Sequence, residues 1–121
     1  MRLTMVKIAP FPEKRQEVLD ILLSMKGPTQ AEVGCLNCCI FEEYGDDPAI
    51  VYVELWRTLT EMHRHMRSSL YSRILEAMEL SCREPEVYFY EVVGTSGMEL
   101  IEQVRMPEGT KFNSGEKKLI Q

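Results

Sequence analysis

Residues 49–56, AIVYVELW, make a strand-like run that is apolar on both faces apart from Glu54. Side chains alternate along a strand. Val51, Val53 and Leu55 therefore share one face, and Tyr52, Glu54 and Trp56 share the other. A strand that reads this way has to be covered on both sides. That demand governs how the rest of the chain is read.

The neighbouring segments supply the cover for one side. Residues 2–9, RLTMVKIA, read as a first strand that Pro10 and Pro12 stop, with Pro12 well placed to open a helix. The stretch EKRQEVLDILLSMK follows, with Val18, Ile21, Leu22 and Met25 on one helical stripe. Gly27-Pro28 predicts the end of that helix. Thr29 to Glu32 can form a capping box for one further turn, which Gly34 closes. Residues 35–44 read as the second strand, Gly45-Asp-Asp-Pro48 as a turn and 49–56 as the third strand. Residues 58–81 are helical, Glu84-Pro85 ends that helix, and 86–93, EVYFYEVV, form the fourth strand. Gly94-Thr-Ser-Gly97 closes the unit.

The order β-α-β-β-α-β predicts an α+β, ferredoxin-like fold. Its four-stranded antiparallel sheet carries both helices on one face. The other face has no cover within the chain, and a contiguous apolar surface of that size is rare on a monomer. A homodimer stacked sheet to sheet follows from burial alone.

Other classes are disfavoured by composition. A net charge of -5 and a pI near 5.1 speak against a nucleic-acid surface. No apolar run reaches the roughly 18 residues of a membrane span, so no membrane partner is expected. The start, MRLTMVKIAPFP, lacks a signal peptide's apolar stretch. Cys35, Cys38, Cys39 and Cys82 read as reduced, small apolar side chains. In a regular strand Cys35 and Cys38 would face opposite ways, which disfavours a metal or redox pair. The expectation is a cytoplasmic protein of one domain over 1–94, with a C-terminal extension over 95–121. That extension is expected to dock on the domain or the partner subunit, for instance as an added edge strand.

Trp56 ends the third strand, and its size suits a core or interface anchor whose N–H needs a partner. In the following helix, Leu59, Met62, Met66, Leu70 and Ile74 form one stripe. His63 lies on that stripe and His65 on its flank. Periodicity alone makes His63 the more buried and leaves His65 bordering a cavity between helix and sheet.

Three segments resemble the antibiotic biosynthesis monooxygenase family of dimeric α/β barrels. They are Ala31-Glu-Val-Gly-Cys-Leu36 at the entry to the second strand, Tyr52-Val-Glu-Leu-Trp56 in the third, and Met62-His-Arg-His65 with Ser68 and Tyr71 in the helix. The likeness covers about residues 3–94. It implies a pocket bordered by Trp56 and His65, and it selects His65 over His63. It also implies oxygenation of a small phenol or quinol without metal or flavin, the substrate's own anion reducing oxygen. On that reading His65 and Trp56 are catalytic, with His65 the base and Trp56 holding the ring. Tyr52, Met62 and Tyr71 contact substrate, and no cofactor is needed. Tyr52 stands where some polyketide-quinone oxygenases carry Asn. The haem-degrading branch has an Asn on the first strand that RLTMVKIA lacks, and its helix histidine is one residue out of register with His65. Two alternatives stand beside the oxygenase. One is a non-oxidative isomerase or lyase, which would use Arg57, Arg64, Arg67 or Arg73 on a polar substrate. The other is a non-catalytic stress-response or ligand-binding dimer whose pocket is packed with side chains such as Met62, Met66 and Met78.

Overall fold

The computed structural model describes residues 1–107. Its strands are β1 (Arg2–Ile8), β2 (Cys35–Glu42), β3 (Ile50–Trp56) and β4 (Glu86–Glu91). They form one antiparallel sheet in the order β2-β3-β1-β4. Helix α1 (Arg15–Gln30) follows a short 3-10 turn at Pro12–Lys14. The second helical region is two helices, α2 (Leu59–Arg67) and α3 (Ser72–Glu79), joined by a 3-10 turn at Ser69–Tyr71. A further helix, α4 (Met98–Arg105), follows β4. The architecture is the expected α+β, ferredoxin-like one.

The core lies between the inner sheet face and α1 and α3. Val18, Leu22 and Met25 of α1 meet Val6 and Ile8 of β1, Ile50 and Tyr52 of β3, and Ile74 and Ala77 of α3. A fully buried Leu, Ile or Val stabilises the fold by about 1.5–3 kcal/mol. On the opposite sheet face, β3 leaves Val51, Val53 and Leu55 half-buried. Phe41, Tyr88 and Tyr90 are 55%, 43% and 46% exposed. Register puts Met5 opposite both Val53 and Tyr88, so these residues make one open apolar surface.

Four local expectations are corrected. First, α1 runs straight through Gly27-Pro28 instead of ending there. Proline removes one helical N–H. The carbonyl it leaves belongs to Ser24, which is exposed like Gly27 and Pro28, so water can satisfy it. The helical bonding resumes with Ala31 N donating to the Gly27 carbonyl. Meanwhile Met25 and Thr29 extend the buried stripe on the other side. Packing along that stripe outweighs the one lost bond.

Second, residues 58–81 do not make one helix. Ser68 is extended (ψ 157°) and its hydroxyl donates to the His65 carbonyl at 2.6 Å. Such local side-chain bonds compete with helical ones. The interruption resets the helical phase, so a wheel drawn through both pieces misplaces α2. Glu61, Met62 and His65 are its buried residues, Leu59 is 39% exposed, and His63 faces solvent. Third, a register shift between Cys35 and Asn37 inserts a bulge in β2. Cys35 then pairs with Trp56 and Cys38 with Glu54, so both cysteines lie on the inner side rather than on opposite faces. Fourth, residues 98–105 are helical where an edge strand was considered. Helix α4 leaves Met98, Leu100, Ile101 and Val104 46–74% exposed. The rest of the extension, 108–121, lies outside the described residues.

Candidate active site

The site begins with the inner register of β3. Tyr52, Glu54 and Trp56 lie two residues apart and therefore point the same way. Glu54 is completely buried, and its carboxylate accepts three hydrogen bonds. Tyr52 Oη donates at 2.6 Å, Trp56 Nε1 at 2.8 Å, and His65 Nε2 lies 2.8 Å away. A buried carboxylate costs several kcal/mol of desolvation unless hydrogen bonds and a counter-charge compensate it. Here the strand supplies two donors and α2 supplies the third.

His65 reaches Glu54 because α2 starts at a defined place. The Thr58 hydroxyl accepts from the Glu61 N–H at 3.2 Å and itself donates to the Glu61 carboxylate at 2.9 Å. Thr58 is thus the N-cap of α2, a start signalled by Thr58-Leu-Thr-Glu61. Arg57 clasps the Glu61 carboxylate from outside. Two turns on, His65 is fully buried with its ring 4.9 Å from the Trp56 indole, and the edge of Tyr71 meets it at 5.4 Å.

The other ring nitrogen meets a second carboxylate. Glu32 Oε2 lies 2.6 Å from His65 Nδ1. Glu32 sits in the turn between α1 and β2, and its side chain keeps 29% exposure. The turn is held by Gly34, at φ +92°, a conformation that costs other residues strain. The Gly34 carbonyl accepts from the Arg57 N–H at 2.8 Å. A Cβ on Gly34 would lie 2.2 Å from the Glu61 carboxyl carbon. The turn that carries Glu32 is thus seated directly on the start of α2.

These contacts set the electrostatics. Burial is the largest effect on His65 and opposes its charge. The hydrogen bonds and negative charges of Glu54 and Glu32 together outweigh it, and the pKa rises above the ordinary value. Both ring nitrogens of His65 lie against carboxylate oxygens, which favours its protonated form. Burial first, and the Glu54 charge next, push Tyr52 far above the usual phenol range and Tyr71 up to about 12. Burial likewise pushes Cys35 and Cys38 up to about 11, so both stay neutral thiols. Cys38 Sγ donates to Tyr52 Oη at 3.4 Å.

The five residues singled out from sequence converge here. Trp56, His65 and Tyr52 are buried at the centre. Met62 and Tyr71 are nearest the surface, at 4% and 9% exposure, with the Thr4 hydroxyl donating to Met62 Sδ at 3.5 Å. Glu54 and Glu32 were missed as site residues. The signal for Glu54 was available: a lone carboxylate on the buried face of a strand needs a cationic partner. Glu32 had no such signal, since an acidic residue in a turn is ordinary. The four arginines considered for a polar substrate do not join the cluster. Arg57 holds Glu61, Arg73 donates to Ser24 Oγ at 2.9 Å, and Arg64 and Arg67 are exposed. Among the described residues no group of three or more His, Cys, Asp or Glu could hold a metal ion. No described helix is long and apolar enough to cross a membrane. A surface groove of about 300 Å³ between α1 and α3 is lined by Glu17, Ile21, Glu76, Glu79 and Leu80, none of them a member of the cluster.

Comparison with known proteins agrees with this architecture. Rv0793 from Mycobacterium tuberculosis superposes with a TM-score of 0.71 at 24% identity, over 79% of this chain and 98% of that one. A candidate antibiotic biosynthesis monooxygenase from Deinococcus radiodurans gives a TM-score of 0.72 at 19% identity, over 80% and 97%. A conserved protein from Methanosarcina mazei gives 0.67 at 25% identity, over 74% and 91%. The uncharacterized protein sll1783 of Synechocystis is 21% identical over 85 residues, and the match takes in 69% of this chain and 58% of that protein's length. The family model for antibiotic biosynthesis monooxygenase matches residues 1–77, from β1 to Ala77 of α3, and the chain belongs to that family.

Proposed function

We propose that the protein is a cofactor-independent monooxygenase acting on a small phenol or quinol, working as a homodimer. The observation that carries this reading is the Glu32–His65–Glu54 cluster, with His65 and Glu54 fully buried, beside the Trp56 indole. A charged, hydrogen-bonded cluster is a poor way to stabilise a core, because apolar residues of the same volume do as well or better. Perturbed titratable groups held together in a dry interior are what proton transfer requires.

In the proposed reaction the substrate hydroxyl loses its proton to the His65–Glu54 unit. The resulting anion reduces dioxygen, and carbon–oxygen bond formation followed by loss of water gives a quinone. One phenol and one dioxygen yield one quinone and one water, so no outside reductant is needed. The Trp56 indole holds the aromatic ring, and Tyr52, Met62 and Tyr71 bound the space it enters. Trp56 and His65 are fully buried and Tyr52 is 1% exposed. Substrate therefore enters by displacing Met62 or Tyr71, the members nearest the surface. The second copy covers the open sheet face, which includes Val53, Phe41 and Tyr88. A reducing, cytoplasmic setting fits the four free thiols.

Oxygen consumption with a panel of dihydroxyaromatics tests the reading. Turnover is expected, with a loss on the order of a hundredfold or more in His65→Ala. Turnover that survives both His65→Ala and Trp56→Phe removes the assigned roles. The sealed packing of the cluster favours a second reading, a non-catalytic binding dimer, which predicts no turnover with any of the panel. Product formed without oxygen would instead mark a non-oxidative isomerase or lyase.

A further inference from the structure

The hydrogen bonds of the site join into one chain that reaches from the surface to the buried Cys38 thiol. Glu32 Oε2 meets His65 Nδ1 at 2.6 Å, and His65 Nε2 meets Glu54 Oε2 at 2.8 Å. The same Glu54 oxygen accepts from Tyr52 Oη at 2.6 Å, and Tyr52 Oη accepts from Cys38 Sγ at 3.4 Å. His65, Glu54 and Cys38 are fully buried and Tyr52 is 1% exposed, whereas the Glu32 side chain keeps 29% of its surface. Of the members of this chain, Glu32 is the one in contact with water.

We propose that Glu32 is the port through which the buried site exchanges protons with solvent, and that it acts through His65 rather than on substrate. The inference deepens the reading of the same site given above. A proton arriving at Glu32 passes to Nδ1 of a neutral His65 that carries its hydrogen on Nε2. The imidazolium so formed releases the Nε2 proton to Glu54, so that one proton enters as one moves inward. The reverse path carries a proton taken from a bound hydroxyl out to water. The path needs a seated Glu32, and the fold supplies the seat: Gly34 packs on Glu61, Arg57 N–H bonds the Gly34 carbonyl, and Cys35 N–H bonds the Glu32 carbonyl at 3.1 Å.

The charged and titratable groups around the ring come from three elements. Glu54 faces it from β3, Glu32 from the turn before β2, and Tyr71 from the 3-10 turn after α2. Cys35, at the start of β2, lies in the field of both carboxylates. Replacing Glu32 by Gln keeps an acceptor for Nδ1 and removes one of the two negative charges.

The test needs no substrate, so its outcome is separate from that of the oxygenase reading. Side-chain nitrogen NMR of His65 is followed against pH in the full chain and in Glu32→Gln and Glu32→Asp, with the backbone spectrum reporting that each is folded. In Glu32→Gln the His65 pKa is expected to fall by about one unit or more. Exchange of its ring protons with water is expected to slow on the order of a hundredfold, the scale of a lost acid–base group. Glu32→Asp, which keeps the charge, retains most of the raised pKa. An exchange rate that stays unchanged in Glu32→Gln overturns the port. So does identical behaviour of the Gln and Asp variants, which would leave Glu32 a packing residue only.

Discussion

The two faces of β3 solve the same burial problem by opposite means. On the inner face, Ile50, Tyr52, Glu54 and Trp56 are at most 1% exposed, and the polar members are tied to one another and to His65 by directed hydrogen bonds. On the outer face, Val51, Val53 and Leu55 are half-buried and offer area without direction. Directed bonds specify one partner atom each and are costly to break. Apolar area is tolerant of what covers it. The inner face therefore requires one arrangement within the chain, and the outer face asks for any well-fitting apolar cover, the role proposed for a second copy.

The largest effect should come from cutting the inner network. Glu54→Ala leaves His65 Nε2, an indole N–H and a phenol without their shared partner, and is expected to cost about 3–5 kcal/mol of stability in urea unfolding. Glu54→Gln, which still accepts, should cost clearly less; equal losses would mean that the charge is irrelevant. On the outer face, Val53→Asp puts a charge at the centre of the open surface. It should weaken self-association on the order of a hundredfold, about 3 kcal/mol. Sedimentation reads this directly, and unchanged self-association would place the contact elsewhere. Gly34→Ala meets both a positive φ and the Glu61 carboxylate, for about 1–2 kcal/mol in the same unfolding assay.

A pH effect also separates the faces. The folded pKa of His65 is raised. Its contribution is complete below the unfolded value near 6.5 and is lost as pH rises through the folded value. Stability of the parent should therefore fall across that window, and Glu32→Gln should flatten the fall; parallel curves would mean that the pair is not coupled. The smallest expected change is on the outer side of β4, where Tyr88 stacks on Tyr90 at 6.0 Å. Tyr88→Ala should cost the isolated chain about 0.5–1 kcal/mol, and a larger loss that grows with protein concentration would place the pair in the dimer contact.

Much of this was legible in the residues themselves. The strand-like runs RLTMVKIA, CLNCCIFEEY, AIVYVELW and EVYFYEVV, with helical stripes between, mark four strands and the ferredoxin-like order, because period and composition are local properties of the chain. As site residues, Trp56 and His65 were singled out by resemblance of short motifs. Periodicity favoured His63, because it treated 58–81 as one helix.

What the chain sequence determined by itself is the period of burial: which positions must be dry, and hence the element types and the two-sided demand on β3. Tertiary structure decided where that period stops. Continuous packing carried α1 across Pro28, an extended Ser68 ended α2 after Arg67, and a bulge brought Cys35 to the inner side. It also decided that Glu32 and Glu54, separate in the sequence, close on the two nitrogens of one ring. The physical reason is that a buried charge is satisfied by atoms brought together in space. Pattern along a chain reports only whether a side chain faces water, not which distant group it will meet.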